Sequence, residues 1–184
     1  MRVHFLLFGS YLINEKKDRP IRLGLTFNDG ELNLYACAIR ILEGDINNLY
    51  DWTADVMNPT WDERTAIKKL KQGKDKFICD ALLNQEIFAG VGNIIKNEVL
   101  YRIKIHPESA VNKLQPAKIR QIVKEVRIYS FEFLEWKKNF VLKKHWLAHA
   151  KKMCTRCKLP LVKKYTGTGL RRSFFCTNCQ KLYY

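Results

Sequence analysis

Four of the six cysteines fall in two tight pairs, Cys154-x2-Cys157 and, eighteen residues on, Cys176-x2-Cys179. Two CxxC knuckles offer four thiolates at the spacing a tetrahedral ion requires. In a chain without a secretion signal such pairs read as metal ligands rather than disulfides. Residues 151–184 are therefore expected to hold one structural Zn2+ on Cys154, Cys157, Cys176 and Cys179, with a redox dithiol as the alternative. Between the pairs, Leu161–Tyr165 and Arg172–Phe175 have strand character around the turn Thr166-Gly167-Thr168-Gly169, which predicts a β-hairpin finger. A module this small has almost no core, so the metal would supply its folding energy. Cys37 and Cys79 stand alone in apolar surroundings and read as small buried residues.

The charge of the chain narrows its partners. Thirty-three Lys and Arg against 18 Asp and Glu leave a net +15, which points to a polyanion: nucleic acid or an anionic membrane surface. No apolar run approaches the roughly 18–20 residues of a spanning helix, and Met1–Gly9 is too short for a signal peptide. The expectation is a cytoplasmic protein with no membrane partner. Lys158, Lys163, Lys164, Arg171, Arg172 and Lys181 crowd the finger with no acid between Cys154 and Tyr184. That pattern favours phosphate contact over an ordinary solvated face.

Hydrophobic period divides the rest of the chain, and the fold class expected is α+β. Residues 1–50 read as a partial antiparallel sheet. Val3–Phe8 is stopped by Gly9, Ile21–Phe27 alternates, and Asn28-Asp29-Gly30-Glu31 turns into Leu32–Tyr35, which together predict a meander. Residues 58–150 change to a helical period. Helices are expected over 62–71 with Thr60 as N-cap, over 76–83, from Ile94 to Ile103, and from Pro116 through Phe133. The lysines of 137–152 read as a basic connector to the finger.

Between the second and third of these helices lies Ala89-Gly90-Val91-Gly92-Asn93-Ile94. Amides at a helix N-terminus, with glycine leaving the approach open, form an anion site; an ordinary Gly C-cap followed by an Asn N-cap is the other reading. The run from Leu82-Leu83-Asn84-Gln85 through Gly90-Val91-Gly92-Asn93 to Glu98-Val99-Leu100-Tyr101-Arg102 and Ile105-His106-Pro107 resembles a known signature. It is that of the helix–two-turn–helix (H2TH) domain in the formamidopyrimidine-DNA glycosylase/endonuclease VIII family. In that family a zinc β-hairpin finger follows, where the four cysteines stand here.

The resemblance implies double-stranded DNA carrying an oxidised base or abasic site as partner. It also implies base excision as the reaction: removal of the oxidised base, then cleavage of the abasic strand. Asn93 matches the asparagine that binds phosphate beside the lesion, and Arg171 the finger arginine that grips the same region. Gly92, Lys163, Lys164 and Arg172 are expected to line that surface. Leu7, with Leu6 and Phe8, matches the side chains that wedge into the duplex where a nucleotide is flipped out; alternate residues filling a sheet core is the competing reading. The family's N-terminal Pro-Glu and loop lysine have no match here. The chain begins Met1-Arg2-Val3-His4, and the resemblance places Met1 inside the sheet domain, about seventy residues along. No catalytic residue is therefore assigned. Open sheet edges would make an otherwise monomeric chain prone to self-association.

Among other candidates, Glu98 reads as a surface partner for Arg102 at i, i+4. His4 and His106 fit no metal spacing, and His145 and His149 lie four apart without a third ligand. The rival class is a non-catalytic zinc-ribbon protein that binds nucleic acid, which the charge and CxxC pairs alone would fit equally well.

Overall fold

A computed structural model describes residues 1–184 apart from Asp75 and the side chains of Leu6 and Leu7. Its backbone divides into two compact units, Met1–Tyr50 and Asp51–Tyr184. Among the described residues no helix is long and apolar enough to cross a membrane.

The first unit is a three-stranded antiparallel sheet: β1 (Arg2–Ile13), β2 (Leu23–Phe27) and β3 (Gly30–Arg40), followed by one turn of helix, α1 (Ile46–Leu49). Phe27 pairs with Gly30, so Asn28-Asp29 closes a two-residue hairpin. The strand order is β1-β3-β2, which corrects the expected meander. β3 takes the centre because its Asn33, Leu34, Tyr35 and Cys37 are buried; a strand buried this way needs ladder partners on both sides. Gly9 does not end β1. The ladder shifts register between Phe5 and Ser10, and the strand runs on through the bulge to Ile13.

The second unit is helical, with a small hairpin. Its helices are α2 (Glu63–Gln72), α3 (Ile78–Ala81), α4 (Asn93–Arg102) and α5 (Pro116–Lys138); β4 (Val162–Thr166) pairs with β5 (Arg171–Phe175). Asp62 rather than Thr60 caps α2, accepting from Arg64 N at 3.0 Å and Thr65 N at 3.1 Å. A carboxylate satisfies two orphan amides and also meets the positive helix end. Thr60 is instead held by the Asn58 side chain, 2.8 Å from its backbone nitrogen. The helix expected over 76–83 shrinks to the single turn of α3: after Leu82 N donates to Ile78 O, the bonds tighten to Leu83 N on Asp80 O and Asn84 N on Ala81 O, and the helix stops.

The core of this unit is built around α4 and α5. Ile119, Ile122, Val123, Val126 and Tyr129 of α5 face Ile95, Val99 and Leu100 of α4, with Ile78, Leu82, Ile87 and Phe88 beside them. The seven residues Ile95–Tyr101 of α4 are all buried. A helix enclosed on every side loses the apolar/polar alternation of a surface helix, so each polar residue on it must find a partner inside the protein.

The finger packs on this helical body. Its last residues join the loop after α4: His106 N donates to Lys181 O at 2.8 Å, Lys181 N to Lys104 O at 2.9 Å and Ala110 N to Tyr183 O at 2.7 Å. The Gln180 amide donates to Ile105 O at 2.8 Å, and the ring of Phe175 meets His106 edge-on at 4.4 Å. The segment expected as a connector, 137–152, is ordered into the end of α5 and a 3-10 turn, Leu142–His145.

Candidate nucleic-acid interface

Gly90 (φ +89°) and Gly92 bracket the turn into α4. Gln85 fixes this turn from inside: its amide nitrogen donates to Leu83 O and Val91 O at 3.0 and 3.1 Å, and its oxygen accepts from Gly90 N at 3.0 Å. Gly92 is the N-cap residue of α4 and makes no side-chain cap, so Asn93 stands in the first turn, where helix amides lack partners.

Asn93 does not cap the helix. Its Nδ2 donates to the backbone oxygen of Arg172 on β5 at 2.9 Å. That carbonyl also accepts from Lys96 Nζ at 3.3 Å and Asn97 Nδ2 at 3.4 Å. Three side chains of α4 thus converge on one oxygen of the hairpin, and the register between helix and finger is set there. An amide nitrogen carries two hydrogens, so Asn93 keeps a second donor after this bond. Its Oδ1 is buried and has no hydrogen-bond partner among the described residues.

The hairpin is held at its other end by Asp80. Thr168 N donates to Asp80 Oδ2 at 2.8 Å and Gly169 N to Oδ1 at 3.1 Å. Gly167 sits at φ +72°, and a Cβ on it would collide with the Asp80 carboxylate. With its tip on Asp80 and its backbone on α4, the hairpin brings the Arg172 carbonyl, one residue after Arg171, to Asn93. Arg172 is braced against Tyr165, whose hydroxyl it meets at 2.9 Å. The Arg171 side chain is exposed and makes no ion pair among the described residues. On β4, Lys163 is exposed, whereas Lys164 pairs with Glu108 at 3.0 Å.

Glu98 departs from its expected pairing with Arg102. It is fully buried and accepts from three successive backbone amides, Leu147 N at 2.8 Å, Ala148 N at 2.9 Å and His149 N at 2.6 Å. It thereby ties the basic segment ahead of the finger to α4. Arg102 bonds Glu125 at 3.1 Å and Glu132 at 2.7 Å on α5 instead. Asn97 Nδ2 donates to His149 Nδ1 at 3.0 Å, and His145 stacks flat on Trp136 at 4.2 Å; the two histidines have different neighbours rather than a shared helical face.

The four finger cysteines meet. Their sulfurs lie within 4.8 Å of one another, and Cys154 Sγ to Cys179 Sγ is 3.8 Å, close to the edge of a tetrahedron with metal–sulfur bonds of about 2.3 Å. Donors surround the sulfurs as thiolate ligands require: Arg156 to Cys179 at 3.0 Å, Asn178 to Cys157 at 3.2 Å, and the Tyr101 hydroxyl beside Cys154 at 3.1 Å. Arg156 also lies over the Tyr101 ring at 3.7 Å and donates to Tyr101 O at 2.8 Å, which ties the metal end of the finger to the end of α4. The donor set and its spacing fit one metal ion.

The wedge expected at Leu6, Leu7 and Phe8 is only partly described. The side chains of Leu6 and Leu7 lie outside the described residues, and Phe8 is 76% exposed on β1.

Residues 53–138 match the model of the formamidopyrimidine-DNA glycosylase H2TH domain, and the turn and helices just described fall inside that span. This match and the likenesses that follow support membership of the formamidopyrimidine-DNA glycosylase/endonuclease VIII family. It is 30% identical over 199 residues to endonuclease 8-like 3 of Bos taurus, an alignment spanning 98% of this chain and 31% of that protein. It is 32% identical over 196 residues to endonuclease 8-like 2 of Homo sapiens, spanning 98% and 57%. The chain thus covers about a third of the first relative and somewhat over half of the second. Its fold is that of the formamidopyrimidine-DNA glycosylase of Lactococcus lactis, solved with DNA containing an abasic site: TM-score 0.81 at 22% identity, over 97% of this chain and 73% of that one. A viral DNA glycosylase aligns with TM-score 0.77, also at 22% identity and over 97% and 76%.

Sequence reasoning missed Lys96, Asp80 and Gln85 as parts of the site. A signal for the first was present: Lys96-Asn97-Glu98 interrupts an otherwise apolar run at 94–100. Three successive polar residues there cannot all face solvent on an amphipathic helix.

Proposed function

We propose that this chain binds duplex DNA at an oxidised or missing base, as the DNA-holding part of a base-excision enzyme of this family. The reading is supported by the hydrogen bond from Asn93 to the Arg172 carbonyl, which ties Asn93 to the hairpin one residue from Arg171, the second candidate phosphate donor. The remaining Asn93 hydrogen, the open amides at the α4 N-terminus and the unpaired Arg171 guanidinium are suited to phosphate oxygens. Gly92 allows the backbone to approach; Arg172 and Lys163 add positive charge along the same hairpin, and Lys164 adds less because Glu108 offsets it. Such binding is dominated by phosphate contacts, so affinity should fall steeply with salt and show little sequence preference. Phe8, with Leu6 and Leu7, is the proposed wedge, its exposed ring replacing stacking lost in a kinked duplex.

One structural Zn2+ on Cys154, Cys157, Cys176 and Cys179 completes the finger. Its contribution is to fold the hairpin, and it takes no part in bond cleavage. Relatives of this family remove oxidised bases through an amine that attacks the sugar. No residue of this chain is assigned that part.

Borohydride trapping of the 184-residue chain on a duplex with one abasic site separates the possibilities. A gel shift without a covalent adduct is the expected result and identifies a DNA-binding chain. An adduct would show that an amine within this chain performs Schiff-base chemistry. Neither shift nor adduct would sink the proposal and return the zinc-ribbon alternative.

A further inference from the structure

The least expected group in the second unit is Lys96. Its side chain has no solvent exposure, and its ammonium touches Ser173 Oγ at 2.8 Å and Arg172 O at 3.3 Å. No carboxylate lies within ion-pair distance of it among the described residues. Ser173 Oγ is in turn 2.6 Å from Thr166 Oγ1, so the ammonium heads a short polar chain inside the hairpin. A buried ammonium held only by neutral oxygens is costly. Methionine would fill the same volume without that cost. The cation therefore needs a reason, and the bond it shares supplies one: the carbonyl that Lys96 grips is the one that holds Asn93, and it belongs to the residue after Arg171.

We propose that Lys96 is a positioning residue for the DNA-binding edge, a buried positive charge that locks β5 to α4 and whose missing counter-ion is the phosphate bound at Asn93 and Arg171. This rests on the phosphate reading of that edge. Lys96 does not touch the DNA; it acts through the Arg172 carbonyl and through its field, which is weakly screened because the side chain has no solvent exposure.

The charged and titratable groups facing it are Cys79 and Asp80 from α3, Arg171 and Arg172 from β5, and His149 from the segment before the finger. Burial, opposed by Cys79 and Asp80 and aided by Arg171, brings the Lys96 ammonium down to about 8. Burial also lowers His149, and pushes the Cys79 thiol up to about 11.

Two opposite trends follow. Between about pH 8 and 10.5 the folded state holds fewer protons at Lys96 than the unfolded state, so this group makes the unit more stable as pH rises. Over the same rise through about 8 the ammonium is lost, and DNA affinity falls. Bound phosphate restores the charge, so binding near pH 8 should take up roughly half a proton per complex.

The test is calorimetric titration of the metal-loaded full chain with a short duplex carrying one abasic-site analogue. It is run in buffers of different ionisation enthalpy between about pH 7 and 9. Wild type is expected to take up protons near pH 8. Lys96→Met is expected to melt no lower than wild type, to bind roughly five- to tenfold more weakly at pH 7, and to lose the uptake. Absence of uptake in wild type, or uptake retained in Lys96→Met, overturns the assignment. The wild-type measurement stands even if the variant fails to fold. Asn93→Ala run alongside separates the two ideas: unchanged affinity there defeats the phosphate reading itself, whereas weakened Asn93→Ala binding with no proton uptake defeats only the role of Lys96.

Discussion

The two units of this chain use apolar residues in contrasting ways. In Met1–Tyr50 the buried set among described residues is small, Leu34, Tyr35, Cys37 and Asn33, while Phe8, Ile13 and Ile41 are 76%, 63% and 72% exposed. In Asp51–Tyr184 a continuous core surrounds α4, and charged and amide side chains are carried inside it: Lys96, Asn97 and Glu98 are all buried. The sheet is stabilised mainly by its ladder. The helical unit is stabilised by a core and by polar bonds between residues far apart in sequence. Changes inside the second unit should therefore be costly and specific, and changes on the sheet surface cheap and visible mainly as altered association.

The largest effect is expected from the metal site. Chelation, or Cys154→Ser, removes an ion whose binding contributes on the order of 10 kcal/mol to folding of such modules. Hydrogen exchange should show amides of β4 and β5 losing protection while those of Leu34–Cys37 keep theirs; protection unchanged in the finger would mean that docking on α4 suffices without metal. Next comes Glu98→Ala, which strands three inward-facing amides and should cost about 3 kcal/mol in urea melts of the second unit. A loss below about 0.5 kcal/mol would indicate that water replaces the carboxylate.

Gly167→Ala should cost about 1–2 kcal/mol, because the residue is at positive φ and the new methyl displaces Asp80 from the hairpin tip. The expected companion effect is weaker DNA binding, and Asp80→Asn should reproduce part of it without backbone strain. The smallest change in stability belongs to the sheet. Phe8→Ser should move the unfolding midpoint by no more than about 0.5 kcal/mol yet reduce concentration-dependent sedimentation. If it destabilises the first unit strongly, Phe8 is part of a core and the contrast between the units is overstated.

The parts of the molecule legible in sequence were those that announce themselves locally. The cysteine pairs and the turn between the finger strands need only a few neighbouring residues to be recognised. So do the Gly-Asn entry to α4 and the Pro116 start of α5. The strand order was not legible, since which strand takes the centre depends on pairing between β1 and β3, separated in sequence by β2 and its connections. Nor were the inward roles of Glu98, Asp80 and Lys96. Their partners lie fifty, eighty-eight and seventy-seven residues away, and a charged residue read alone belongs on the surface. Thr60 illustrates a near miss, being displaced as cap by a carboxylate two residues later that binds two amides at once.

The central claim is that Asn93 and Arg171, joined through the Arg172 carbonyl, form the phosphate-binding edge of this chain. Fluorescence anisotropy with a labelled duplex containing one abasic-site analogue tests it, comparing wild type with Asn93→Ala and Arg171→Ala over a salt series. The account predicts roughly tenfold weaker binding for each variant and a salt slope smaller by about one for Arg171→Ala, with circular dichroism unchanged. Wild-type affinity and slope in both variants would contradict it.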